Sequence, residues 1–114
     1  MSESNFNAKV QETWTALGGY IIKTIVNNKA GGFDMFACMP DLEGLGRFCV
    51  LEGKVGNNKM SALQIAHRND VISSGGLTKE TKTIDDVLQV YEWVKTRKIL
   101  TIEEEKRHLD SIQL

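Results

Sequence analysis

One proline, two cysteines, no long apolar run and no surplus of either charge set the first limits on this chain. Pro40 is the single proline, and no repeat or low-complexity tract divides the 114 residues. That length suits one domain with a real core. Cys38 and Cys49 lie in different segments and match no zinc-ligand spacing. No stretch reaches the ~20 apolar residues of a membrane span. The start, Met1-Ser2-Glu3-Ser4-Asn5, has neither the basic region nor the apolar stretch of a secretory signal. An intracellular, cytoplasmic protein is expected, with both cysteines reduced and filling small core positions. The formal net charge of -1 argues against a passive nucleic-acid coat, which is usually strongly basic. It leaves local phosphate-binding patches open, because acids such as Glu103, Glu104, Glu105 and Asp110 lower the total without touching them.

What the chain does have is a readable order of elements. Val10, Trp14 and Leu17 fall at i, i+4, i+7 and predict an amphipathic helix over about 5–17, ended by Gly18-Gly19. Tyr20 to Val26 is rich in aromatic and β-branched residues and predicts a strand. After a turn-rich stretch, a second strand is expected from Phe33 to Met39. Pro40 to Gly46 is loop chemistry, and Arg47 to Val55 is apolar enough for a central strand. Ser61-Ala62-Leu63-Gln64 matches a capping box and opens a helix to Ser73 or Ser74, stopped by Gly75-Gly76. Leu77 to Thr81 predicts a short, polar edge strand. Thr83 starts a helix with Val87, Val90, Tyr91 and Val94 on one face, and a Glu- and Lys-rich last helix starts near Thr101. The order implies an α/β fold, a small mixed sheet flanked by helices.

The chemistry concentrates at Glu52-Gly53-Lys54, which closes the run Phe48-Cys49-Val50-Leu51. Alternate residues of a strand share a face, so Glu52 and Lys54 project together about 7 Å apart. An acid and an amine at the end of a buried strand are costly unless used. A second acid nearby would complete a site for a hard divalent cation and an activated water. Asp34 and Asp41 compete for that role. With a hairpin turn centred near residue 43 or 44, Asp34 lies opposite Gly53, beside Glu52, whereas Asp41 sits about 20 Å away. Oxygens sharing one Mg²⁺ stand about 2.1 Å from it, which selects Asp34. The same register sets Cys38 opposite Cys49, a geometry for a disulfide that a reducing compartment opposes. Solvated strand-end charges, with Lys54 as a salt-bridge partner worth little, account for the trio equally simply. A capping role alone accounts for Gln64.

These residues resemble the PD-(D/E)xK nuclease superfamily, and in detail its small virus-type replication-repair (VRR-NUC) branch. The features run in order: Lys23, Gly31-Gly32-Phe33-Asp34, Gly46-Arg47-Phe48, Glu52-Gly53-Lys54, Ser61-Ala62-Leu63-Gln64, Gly75-Gly76 and Asp85-Asp86-Val87. The match covers about residues 3–96. Phe33 stands where the family usually has proline, Gly53 replaces an apolar residue, and Leu77 to Thr81 is more polar than a typical fourth strand. Glu3 lies near the position from which some members supply a further acid, while Glu12 falls on the solvated side of its helix.

The resemblance implies a restriction-endonuclease-like αβββαβα fold, with residues 1–98 as the nuclease domain and 99–114 as a C-terminal helical extension. It implies Mg²⁺-dependent hydrolysis of DNA, with Mn²⁺ able to substitute, and selectivity for junctions or flaps in replication, recombination or repair. Asp34, Glu52 and the backbone carbonyl of Gly53 would hold the metal, and Lys54 and Gln64 would complete the catalytic set. Lys23, Asn27, Asn28, Lys29, Lys59 and Arg68 would face DNA. Cutting a symmetric junction needs two active sites, hence a homodimer. No organic cofactor and no membrane partner are implied; a virus-encoded member would act in its host cell. The competing expectation is a non-catalytic nucleic-acid-binding or assembly module on the same fold.

Overall fold

A computed structural model of the chain describes residues 3–23, 33–53 and 62–113, with the side chains of 3, 4, 33, 34, 63 and 108–113 outside that description. The order is α1 (Glu3–Ala16), β1 (Tyr20–Lys23), β2 (Phe33–Pro40), β3 (Gly46–Gly53), α2 (Ala62–Ser73), β4 (Leu77–Thr81), α3 (Ile84–Lys95) and α4 (Ile102–Gln113). The four strands form one sheet in the order β1-β2-β3-β4. β1, β2 and β3 are an antiparallel meander, and β4 runs parallel to β3 after the α2 crossover. This is the expected mixed α/β sheet flanked by helices. The expected continuation of β1 to Val26 and of β3 to Val55 lies outside the described residues, as does Ser61 of the predicted capping box.

Alternation sorts the sheet into two faces. Ile21, Met35, Ala37, Met39, Cys49, Leu51 and Leu77 point to one face and pack with Phe6, Val10 and Trp14 of α1 and Val87, Val90 and Val94 of α3. The other face is half covered. Val50, Glu52, Thr78 and Glu80 are buried there, while Tyr20, Ile22 and Phe48 are exposed. α3 is held at its start by a complete capping box, Thr83 accepting from the Asp86 N–H and Asp86 reaching back to the Thr83 N–H. Gly75, at φ +89°, gives the left-handed residue that ends α2 and turns the chain into β4. β4 is the expected short, polar edge strand, and its polar residues are largely buried: α2 and α3 pack against it and four of its five residues are buried.

The β2–β3 register differs by one residue from the expected pairing of Asp34 with Gly53. Asp34 pairs with Glu52 and Phe33 with Gly53. Asp41 is the reason. Its N–H donates to the Leu45 carbonyl at 2.8 Å and its carbonyl accepts the Gly44 N–H at 3.0 Å, which centres the turn on Glu43. Cys38 therefore faces Phe48, and Cys49 faces Ala37. The two thiols point to opposite faces and are both free, so the disulfide geometry disappears.

Candidate functional site

Directly opposed residues of an antiparallel pair share a sheet face. The observed register thus sets Asp34 and Glu52 on one face as immediate cross-strand neighbours, closer than the sequence predicts. β4 adds a third acid to the row, since Glu52 also pairs with Glu80 across the parallel ladder. Glu80 is buried and has the Lys82 ammonium 3.8 Å away. Sequence reasoning misses Glu80, because the register of a parallel strand reached through a helix leaves no local signal.

α2 crosses this face with Gln64 half-buried and Arg68 buried. The two are one turn apart, so a helix that turns Gln64 inward turns Arg68 inward as well. This corrects the assignment of Arg68 to a DNA-facing surface. Arg68 is 1% exposed and its Nη1 donates to Glu52 Oε2 at 3.1 Å. Its Nε donates to Oε1 of Glu105 on α4 at 2.6 Å, and Nη2 donates to the same oxygen. The long guanidinium lies between two buried acids because a buried carboxylate without a charged or hydrogen-bonding partner is strongly unfavourable. The i, i+4 spacing from Gln64 was the available signal. Glu105 had none, since it reads as one acid in a solvated Glu-rich helix.

No family, curated protein or solved structure matches this chain.

The other expected site residues divide clearly. Gly53 is buried at the end of β3 and Lys23 is exposed at the end of β1. Asp34 is placed by its backbone register alone. Lys54, Asn27, Asn28, Lys29 and Lys59 lie outside the described residues, as does the side chain of Glu3. Glu12 is exposed, in keeping with its solvated position. Asp41, the rejected metal ligand, has a structural duty: its Oδ1 accepts the N–H groups of Glu43 at 2.8 Å and Leu45 at 3.0 Å.

The donor chemistry suits a hard divalent cation: carboxylate oxygens on adjacent strands and a carbonyl at Gly53, with no thiolate or imidazole in the row. Among the described residues no three His, Cys, Asp or Glu side chains gather as a ready cluster. Arg68 also holds Oε2 of Glu52, so a cation entering here meets a resident guanidinium.

Proposed function

We propose that the chain is a PD-(D/E)xK-type nuclease that hydrolyses DNA phosphodiester bonds with Mg²⁺. The observation that carries this reading is the β2–β3 register, which pairs Asp34 directly with Glu52. The ordered motifs and the αβββαβα arrangement of elements add to it. When bound, the metal would polarise the phosphate and lower the pKa of an attacking water. Asp34, Glu52 and the Gly53 carbonyl supply oxygens to hold the cation. Lys54, two residues after Glu52, contributes positive charge toward the developing phosphorane. Gln64 presents an amide from α2 that orients water or phosphate. Lys23, Asn27, Asn28, Lys29 and Lys59 supply phosphate contacts, with selectivity for junction or flap DNA set by shape. Self-association has an apolar surface to use: Tyr20, Ile22 and Phe48 on the open half of the sheet, with Leu42 and Leu45 in the adjoining hairpin, are all exposed. A two-fold pair through this face would present two sites to one junction.

The Arg68 bridge favours a second reading, in which Glu52 is an ion-pair partner in a binding or assembly module without catalysis. One experiment separates them: incubation of duplex, flap and four-way-junction DNA with wild type, Glu52→Gln and Lys54→Ala, in Mg²⁺ and in EDTA, alongside solution mass. A nuclease cuts only with metal, loses cutting in Glu52→Gln, and slows by about 10²–10³-fold in Lys54→Ala. DNA binding without metal-stimulated cleavage, or equal cleavage by all three proteins, rejects the nuclease. A monomeric mass with junctions uncut rejects the dimer.

A further inference from the structure

We infer that Arg68 is a displaceable counterion: it holds Glu52 while no cation is present and withdraws onto Glu105 and Thr78 when a divalent cation binds. This rests on the reading of Glu52 as a cation ligand and adds to it a positioning residue, Arg68, and a control point on the terminal helix, Glu105.

Three observations converge. Arg68 has an uneven hold on its two acids, with two N–H groups on Glu105 Oε1 and one, at 3.1 Å, on Glu52. The bond to Glu52 is the one that can be given up while the guanidinium stays paired and buried. Beside it is room to move, a cavity of about 130 Å³ lined by Arg68, Thr78, Trp93, Leu100 and Glu105 among others. Thr78 lines that cavity, and its buried Oγ1 has no hydrogen-bond partner among the described residues. A hydroxyl can accept an N–H, and leaving one buried and unmatched is unfavourable. Arg68 and Thr78 line the same cavity, so an arginine turned away from Glu52 moves toward the residue that carries this unmatched hydroxyl.

The physics sets the direction. A divalent cation at Glu52 repels a guanidinium on the same carboxylate and competes for the same oxygen. Binding therefore includes the work of moving Arg68, and Glu105 lowers that work by offering a full negative charge at the new position. Neutralising Glu105 leaves Glu52 as the one strong anionic partner and should tighten Arg68 onto it. Removing the guanidinium removes the competitor. A role confined to stability would weaken cation binding in both cases.

The test measures Mn²⁺ affinity by electron paramagnetic resonance, with circular dichroism melts to establish folding, for wild type, Glu105→Gln, the double variant Arg68→Met with Glu105→Gln, and Glu52→Gln. The double variant leaves no unpaired acid at 105 but takes the guanidinium from Glu52, so its melt is read first, and Glu105→Gln and Glu52→Gln carry the test if it does not fold. Glu105→Gln should bind Mn²⁺ about tenfold more weakly than wild type, equivalent to 1.4 kcal/mol. The double variant should bind more tightly than wild type, and Glu52→Gln should lose the site. If Glu52→Gln loses Mn²⁺ while the other two variants bind like wild type, or both more weakly, the counterion proposal is overturned and the nuclease reading survives. If wild type binds no Mn²⁺, or Glu52→Gln binds it unchanged, the cation site and the proposal fall together.

Discussion

Glu52 and Arg68 show how much one residue's meaning depends on its partner. A carboxylate 2% exposed at the end of a central strand would be costly by itself, and the guanidinium at 3.1 Å makes it tolerable. The cysteines make the same point in a simpler way. Cys49 is wholly buried among apolar side chains, and burial pushes its thiol up to about 12. It stays a neutral thiol at physiological pH, whereas Cys38 is half-buried on the open sheet face. Thiol titration of the native protein with a water-soluble disulfide reagent should therefore label Cys38 quickly and Cys49 only after denaturant is added. Rapid labelling of both without denaturant would contradict the placement of Cys49.

The β2–β3 hairpin is the element on which the site depends, because its turn sets which residue lies opposite Glu52. Asp41 organises that turn. Its carboxyl is held below the ordinary 3.8, first by the Leu45 N–H, against a raising effect of desolvation, and then by the Glu43 N–H and the charges of Arg97 and Lys95. A depressed folded pKa contributes stability above the unfolded pKa, and that contribution is lost as pH falls through the folded value. Asp41→Ala should thus be less stable than wild type near neutrality. The gap should narrow below about pH 4, as urea unfolding at several pH values would register. A gap that stays constant or widens with acid would show that Asp41 acts through something other than its charge. The turn also explains the register error of the sequence reading. Loop composition marks Pro40 to Gly46 as a connection, but its centre depends on hydrogen bonds that composition does not encode. A shift of one residue changed the partner of every β2 side chain.

At the scale of the molecule, α1 is fastened to the sheet by Trp14. Its ring is fully buried and its Nε1 donates to the carbonyls of Tyr20 at 3.1 Å and Cys38 at 3.2 Å, on paired residues of β1 and β2. Gly19 is required beside it, since a Cβ there would come within 2.4 Å of Nε1. Trp14→Ala should cost about 3–5 kcal/mol, seen as a lower urea midpoint with little change in slope. A loss below about 1 kcal/mol would show that α1 does not depend on this anchor. Periodicity and turn chemistry by themselves determined the element order, the core stripe of Val87, Val90 and Val94, and the placement of Asp34 rather than Asp41 beside Glu52. Those features are local, set by spacing along a few turns or one hairpin. Tertiary structure alone decided that Glu80 stands beside Glu52, that Arg68 is buried rather than exposed, and that Glu105 reaches the same cluster from 37 positions further along the chain. Packing α2 and α4 over one half of the sheet brought these charges together, and a linear pattern carries no record of which charged side chain will lose its water to another.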